Sequence, residues 1–272
     1  MQKQAPDLYA STPRDVVVTA RHYADGDVFP LHSHGRGQFA YAERGVITVE
    51  TEDGNWAVPP QRAIWVPARL AHAMQMRGPV TMLNAYIRPQ AAQRLGLTAH
   101  CQVYGVSSFL RQLLEKAVDV PARYAAHGRD ACLMGLLLHE IAGMPMLSLN
   151  APLPAEPRLA RTCRAFMAAP SLEASVDDMA QHAGMSRRTF TRQFRQHTGI
   201  SYLEWRQQAC LLAAVVRLGN GEAVTRVAME LGYSSPSAFA TVFKKILGDA
   251  PSRYCADPSP KTEERYMLTP AL

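Results

Sequence analysis

The chain has 272 residues, enough for one large domain or two ordinary ones. Hydrophobic residues make up 47% and charged residues 19%, a balance that supports a packed core and excludes wholesale disorder. The formal charge of +6 is mildly basic, and the longest apolar runs, Ala131–Leu138 and Ala209–Val216, fall far short of a bilayer span. Met1 to Asp7 lack the apolar stretch of a secretory signal. Five cysteines (Cys101, Cys132, Cys163, Cys210, Cys255) contain no Cys-x-x-Cys pair, which argues against a disulfide framework and against a cysteine zinc site. The expectation is a soluble cytoplasmic protein.

From about Val16 to Ile87, short runs rich in Val, Ile, Tyr and Trp alternate with Gly, Pro and Asp breaks. Val46 to Thr51 predicts a strand, Glu52-Asp53-Gly54-Asn55 a hairpin turn, and Trp56–Val58 the returning strand; Ala63–Val66 is another. From Pro89 to Gly143 the period lengthens. Phe109, Leu110, Leu113, Leu114 and Ala117 share a helical face, and Cys132 to Ile141 fit a second helix. A proline-rich stretch at 148–157 reads as a semi-extended linker. Charge is unequal on its two sides. Residues 1–157 carry 14 basic and 13 acidic side chains, whereas 158–254 carry 13 and 7, so an anionic partner belongs to the C-terminal block.

That block repeats itself. Ala180-x-x-x-Gly184-Met185-Ser186 matches Ala228-x-x-x-Gly232-Tyr233-Ser234, and Phe190-x-x-x-Phe194-Arg195-x-x-x-Gly199 matches Phe239-x-x-x-Phe243-Lys244-x-x-x-Gly248. Each copy predicts a short helix, a glycine turn and a second helix. Ser175 and Asp178 form a capping box, Gly184 permits the left-handed stop, and Ser186 caps the next helix. Phe190 and Phe194 face the core, while Arg187, Arg188, Thr191, Arg192 and Arg195 face out. In the second copy Ser235 caps, Pro236 takes the first helical position, and Ser237, Thr241, Lys244 and Lys245 face out. This pattern describes a helix-turn-helix reader of DNA. Between the copies, Ser201-x-x-Glu204 opens a long helix that stops at Gly219-Asn220-Gly221, a rod able to hold two readers about 34 Å apart.

Gly232-Tyr233-Ser234-Ser235-Pro236-Ser237-Ala238-Phe239, with Phe243-Lys244-Lys245, Gly248, Pro251 and Tyr254, resembles the signature of the AraC/XylS transcriptional regulators. The resemblance implies a DNA-binding domain over 158–256, with helix-turn-helix units at about 176–197 and 223–246, and a cytoplasmic bacterial regulator. It implies double-stranded promoter DNA and RNA polymerase as partners. The DNA-contacting set expected from it is Ser186, Arg187, Arg188, Thr189, Thr191, Arg192, Arg195, Ser235, Pro236, Ser237, Ala238, Thr241, Lys244 and Lys245. Cys255 stands where the family usually has Arg.

Toward the N-terminus, Gly26, His32, His34, Gln38 and Gly45 resemble the first motif of the cupin β-barrel, with Gln38 in place of the usual Glu. Pro67-x-Arg69-x-x-His72 resembles the second, with Arg69 replacing Gly. Two histidines at alternate positions of one strand point the same way, and His72 can close from a neighbouring strand. His32, His34 and His72 suit a divalent ion such as Zn, Ni or Fe; otherwise, with Gln38, they line a polar effector pocket. Tyr41, Trp65 and Met74 are candidate pocket walls, and no catalytic residue is assigned.

The expected fold is α+β: a cupin-like β-barrel at 1–90, helices with a dimerisation role at 91–147, the linker, an all-α domain with two helix-turn-helix units, and a tail at 257–272. The function read from it is sequence-specific transcriptional regulation by a DNA-binding domain whose N-terminal partner senses a small molecule or metal, with a homodimer as the candidate assembly. The alternative is a metal-dependent cupin enzyme, a dioxygenase or isomerase, with an accessory DNA-binding domain.

Overall fold

The computed structural model describes residues 9, 11–147 and 150–254. Cys255, the tail at 257–272, and positions 148 and 149 of the proline-rich stretch lie outside the described residues.

The N-terminal half is built on two long strands, β3 (Gly37–Thr51) and β6 (His72–Ile87), paired antiparallel along most of their length. Around them lie β1 (Val16–Tyr23), β2 (Val28–His32), β4 (Gly54–Val58), β5 (Arg62–Val66), β7 (Gln102–Gly105), β8 (Met146–Leu147) and β9 (Asn150–Pro152). The main order is β1-β6-β3-β5-β7-β8, with β2 on β6 and β9 reached through β4. The strand predicted at Val46–Thr51 is therefore the second half of a longer one, bulged between Ala42 and Val46. Pairing does not close this sheet into the expected barrel, because β1 and β8 end the row. Curvature still brings distant parts together: the His34 ring lies 5.1 Å from His72 and 5.9 Å from Tyr86, at opposite ends of β6.

Strand alternation sorts the side chains onto two faces. On one face Val16, Val18, Phe39, Tyr41, Trp65, Leu83 and Ala85 pack under the helices α1 (Pro89–Arg94), α2 (Ser108–Ala117) and α3 (Arg129–Ala142) through Leu110, Leu114, Leu137 and Ile141. On the other face, Ala40, Val46, Ile47, Val58, Met76 and Met82 belong to a core that continues into the C-terminal helices.

Those helices are α4 (Pro157–Ala168), α5 (Val176–His182), α6 (Arg187–Thr198), α7 (Tyr202–Gly219), α8 (Val224–Glu230) and α9 (Pro236–Leu247), closed by a 3-10 turn at Pro251–Tyr254. Both capping boxes are formed: Ser175 with Asp178 opens α5, and Ser201 with Glu204 opens α7. Gly199 and Gly248 take left-handed conformations that end α6 and α9. Phe190 and Phe194 nest against Tyr202 and Trp205; Phe239 and Phe243 nest between Tyr233 and Tyr254. All four phenylalanines are fully buried.

Within the stretch expected as a linker, Asn150–Pro152 is instead a strand paired with β4. Its Pro152 carbonyl accepts a 2.8 Å hydrogen bond from Trp205 Nε1, and Leu153 is buried. Pro152 ends this short edge strand, and Ala151 pairs with Asn55 in the ladder, so the segment is stitched down and is no free tether. Helix α7 packs on β3, β4, β6 and β9, and the two halves share one core.

Candidate effector site and nucleic-acid interface

His32 ends β2, His72 begins β6, and the two are register partners. His34 lies beyond the end of β2, so the two histidines are not alternate residues of one strand as expected. The chain turns after His32, and the loop brings the His34 ring back over His72. The ring centroids of His32 and His72 are 4.3 Å apart, and the candidate ligand atoms of all three histidines lie within 4.8 Å of one another.

The tautomers follow from the backbone. His32 Nδ1 faces the Pro30 carbonyl at 2.8 Å, His72 Nδ1 faces the Leu70 carbonyl at 2.9 Å, and His34 Nδ1 faces the Arg36 carbonyl. A carbonyl only accepts, so each Nδ1 carries the proton and donates it; in neutral His32 and His72 this leaves Nε2 as a bare lone pair, and in His34 it does so when the Gln38 amide turns its nitrogen toward Nε2. This is how metal-binding imidazoles are held, with the outer nitrogen fixed by a backbone oxygen. His72 Nε2 is buried and has no hydrogen-bond partner. Burial pushes the His72 imidazole down to about 4, with His32 and His34 adding repulsion, and burial also lowers His32. Both shifts favour the neutral imidazole at His32 and His72, the form a metal requires. These three histidines could hold a metal ion.

Gln38 sits beside them, its Oε1 3.1 Å from His34 Nε2 and its Nε2 2.7 Å from Asn84 Oδ1. An amide can offer either end, nitrogen to a bare imidazole or oxygen to a cation. Asn84 and Tyr86 were not foreseen in the sequence. Their signal was a lone Asn inside the apolar run Met82–Ile87, at the parity of the sheet's inner face.

Of the three expected wall residues, only Met74 shares the face of His72. Tyr41 and Trp65 have the opposite parity and pack under α2 and α3, with Trp65 Nε1 donating to the Thr98 carbonyl. Met74 also lines a cleft of about 870 Å³ between the sheet and the C-terminal helices, together with Thr48, Trp56, Met167, Leu212 and Val216. Arg69, in the loop before His72, holds φ at +66°, a left-handed conformation costing a non-glycine residue roughly 1–2 kcal/mol. Its amide donates to the His34 carbonyl at 2.8 Å.

In the C-terminal half, Arg187, Arg188, Thr191, Arg192 and Arg195 line an open groove along α6, all of them exposed. Ser186 caps this helix by accepting from the Thr189 amide. Arg187 is engaged by Asp177 at 2.9 Å, whereas Arg188, Arg192 and Arg195 have no ion-pair partner among the described residues. On α9, Ser235 accepts from the Ala238 amide and Pro236 takes the first turn; Ser237, Thr241, Lys244 and Lys245 are exposed. Helix α7, 18 residues and about 27 Å long, separates the two units. Two helix-turn-helix units on one rod, behind a sheet that carries an inward polar pocket, define a ligand-responsive DNA-binding regulator.

The comparisons agree. Residues 179–257 match the model of a helix-turn-helix domain, and residues 16–138 match the AraC-like ligand binding domain. The chain is 33% identical over 228 residues to the HTH-type transcriptional regulator NimR of Escherichia coli, covering 84% of this chain and 82% of that protein. It is 30% identical over 139 residues to the arabinose operon regulatory protein of Escherichia coli, covering 47% of this chain and 46% of that one. This chain belongs to the AraC family of transcriptional regulators, with an N-terminal ligand-binding domain and a C-terminal DNA-binding domain. Among solved structures, ToxT of Vibrio cholerae overlaps 89% of the chain and 98% of its own at 10% identity, TM-score 0.37. The DNA-binding domain of AdpA, solved with a target DNA, overlaps 37% of this chain and 90% of its own at 33% identity, TM-score 0.34. Among the described residues, no helix is long and apolar enough to cross a membrane.

Proposed function

We propose that this protein is a cytoplasmic, non-catalytic regulator in which occupancy of the His32–His34–His72 site alters how its tandem readers engage promoter DNA. One observation supports the sensory half: three backbone carbonyls take the three Nδ1 protons, and the three rings stand with one candidate ligand nitrogen each within 4.8 Å of the others. Imidazoles suit Zn, Ni or Fe, and Gln38 is a neutral fourth neighbour. When bound, such an ion supplies a fixed positive charge and a coordination position open to an effector. Regulatory relatives and the tandem reader behind the site favour sensing over an oxygenase or isomerase role.

Ser186, Arg187, Arg188, Thr189, Thr191, Arg192 and Arg195 of the first unit would enter one major-groove segment. Ser235, Pro236, Ser237, Ala238, Thr241, Lys244 and Lys245 of the second would enter the next. The exposure of Ser186, Arg187, Arg188, Thr191, Arg192, Arg195, Ser237, Thr241, Lys244 and Lys245 supports this reading, with Thr189, Ser235, Pro236 and Ala238 half-buried beside them. Met74 offers a route between site and reader, since it shares the face of His72 and reaches the cleft beneath α7. Binding that favours one arrangement of that interface shifts DNA affinity by its differential free energy. RNA polymerase beside the promoter is the further partner that the family resemblance implies. A second copy would pair through α2 and α3, where Phe109 and Leu136 stand exposed.

The test is a footprint of the full chain on promoter DNA upstream of its neighbouring genes, with and without Zn, Ni or Fe. Protection of two adjacent major-groove segments that changes with metal, and is insensitive to metal in H72A, is the expected result. Metal-independent protection identical in H72A would overturn the sensory assignment, and stoichiometric metal with oxygen-consuming turnover would restore the enzyme reading.

A further inference from the structure

The two readers are joined by more than α7. Between α4 and α5 the chain makes a tight turn, Ser171–Ala174. The Ser171 carbonyl accepts from the Ala174 amide, and the Ser171 hydroxyl accepts from the Glu173 amide. Two bonds to the Ala174 carbonyl seat this turn on α7: the Tyr202 hydroxyl donates at 3.0 Å and Arg206 Nη1 at 2.7 Å. The Leu172 amide donates at 2.9 Å to the Leu231 carbonyl, in the second unit. Leu231 is the cap residue at the C-terminal end of α8, where helix carbonyls run out of intrahelical partners. The turn thus caps the second unit's helix, and the residue after it, Ser175, is the N-cap of the first unit's α5.

The duplication supplies an internal control. Ala183-Gly184 of the first copy corresponds to Leu231-Gly232 of the second, and both glycines are left-handed, at φ +65° and +82°. A Cβ on Gly184 would meet nothing within 4 Å, whereas one on Gly232 would lie 3.2 Å from Ser171 Oγ and 3.3 Å from Glu173 Cγ. The Ala183 carbonyl accepts no comparable bond among the described residues. The contact therefore belongs to the pairing of the two units and not to the repeated unit itself.

A rod alone fixes the distance between two readers but leaves each free to swivel about its own joint with the rod. A second attachment removes that freedom. On a duplex, each base pair added between two sites moves the second about 3.4 Å along and about 35° around the axis. Readers fixed in both distance and angle therefore fit one separation only. We propose that the Ser171–Ala174 turn, docked on Leu231 and Gly232, sets the angle between the two reading helices and selects one base-pair spacing between the two recognition segments. This rests on the tandem-reader reading above and adds the residues that choose the spacing.

The experiment takes the full chain through selection from a random duplex library. Affinity is then measured on the selected duplex and on versions with one base pair added or removed between its two motifs. The parent should select one spacing and lose about tenfold or more on either altered duplex, as bivalent engagement fails. L172P removes the amide that donates to Leu231, at a turn position that proline suits, so this spacing discrimination should fall below about threefold. L172A keeps the amide and should discriminate as the parent does. G232A crowds the same turn and should also lose discrimination; G184A adds the matching backbone strain with open space around it and should retain it. If L172P melts below the assay temperature, the glycine pair carries the test. A selection that yields one motif or none would overturn the tandem reading and this proposal together. Two motifs with spacing as sharp in L172P and G232A as in the parent, or relaxed spacing in L172A or G184A, would overturn this proposal alone.

Discussion

Arg62 Nη2 lies 2.6 Å from Asp249 Oδ2, tying strand β5 of the sheet to the turn that follows the second reader's helix α9. The same nitrogen is 3.4 Å from the Tyr254 hydroxyl, and the guanidinium stands 5.9 Å from the Tyr254 ring. With 13% and 34% of the two side chains exposed, the pair is partly shielded from water, so it exceeds an ordinary surface ion pair in strength. R62M and D249N should each cost about 1–3 kcal/mol in denaturant unfolding. The double variant should cost less than the sum, because both remove one interaction. A strictly additive cycle would mean that the contact holds nothing together. R62M should also weaken the influence of metal on operator affinity, since this pair ties the sensor to the second reader.

The recognition surface makes a graded prediction. Arg188 and Arg192 are exposed with no ion-pair partner among the described residues, whereas Arg187 must first leave Asp177. Where R188A or R192A removes a base-edge contact, discrimination at that one base step should fall by about 1–3 kcal/mol, with R187A less affected. K244A should weaken binding across sequences alike and reduce the salt slope by about 1, as a phosphate contact does. Unchanged operator affinity in all of these variants would remove α6 and α9 from the groove.

Phe194 and Phe243 are fully buried, each at the centre of an aromatic nest. Truncation to Ala leaves a cavity that rigid neighbours cannot fill, and each variant should lose about 3–5 kcal/mol of stability. A calorimetric melt checks this, and an unshifted transition would contradict the packing.

These local features were legible in the sequence for a physical reason. Caps, glycine stops and the Phe190/Phe194 and Phe239/Phe243 pairs operate within one or two helical turns, so a contiguous pattern contains the whole interaction. The sheet was less legible. Which face Tyr41 and Trp65 occupy depends on parity carried through strand bulges and on which side α2 and α3 cover, and neither is local. His34 left its strand because the chain turns after His32, and the pairing of Asn150–Pro152 with β4 joins segments nearly a hundred positions apart. The His32/His34/His72 cluster was visible as a motif. The three carbonyls that set its tautomers, and the left-handed backbone of Arg69, required coordinates.

Acid should weaken the two capping boxes. Asp178 accepts from the hydroxyl and amide of Ser175, and Glu204 from the amide and hydroxyl of Ser201. These bonds, the Ser175 hydroxyl foremost for Asp178 and the Ser201 amide for Glu204, hold both carboxyls below their ordinary values of 3.8 and 4.5. A depressed carboxylate contributes stability above its unfolded value and loses it as pH falls through the folded one. Thermal melts should therefore decline on the acid side of about pH 4.5, and D178N with E204Q should shallow that decline. Arg217 lowers Glu222, and Arg226 with Arg217 lowers Glu230, so these two titrate in the same direction and part of the decline should survive. A decline of unchanged depth in D178N/E204Q would show that neither cap contributes.

The sharpest check on the docking of the two halves comes from a substitution with opposing effects. Gly219 is the last residue of α7, and a Cβ placed there would lie 2.2 Å from Val46 Cγ2 on the sheet. Inside a helix, Ala is favoured over Gly by about 0.8–1 kcal/mol, so G219A would stabilise a helix end free of neighbours. Val46 is fully buried, and its β-branched side chain has little freedom to turn away. G219A should therefore destabilise the full chain, with an overpacking cost of about 1–3 kcal/mol outweighing the helix gain. In a V46A background the obstructing methyls are gone, and the same substitution should become neutral or stabilising. Chemical denaturation of the four members of this cycle decides the matter. G219A that stabilises the parent chain would mean that α7 does not rest on the sheet, and the path from the histidine site to the readers would lose its physical basis.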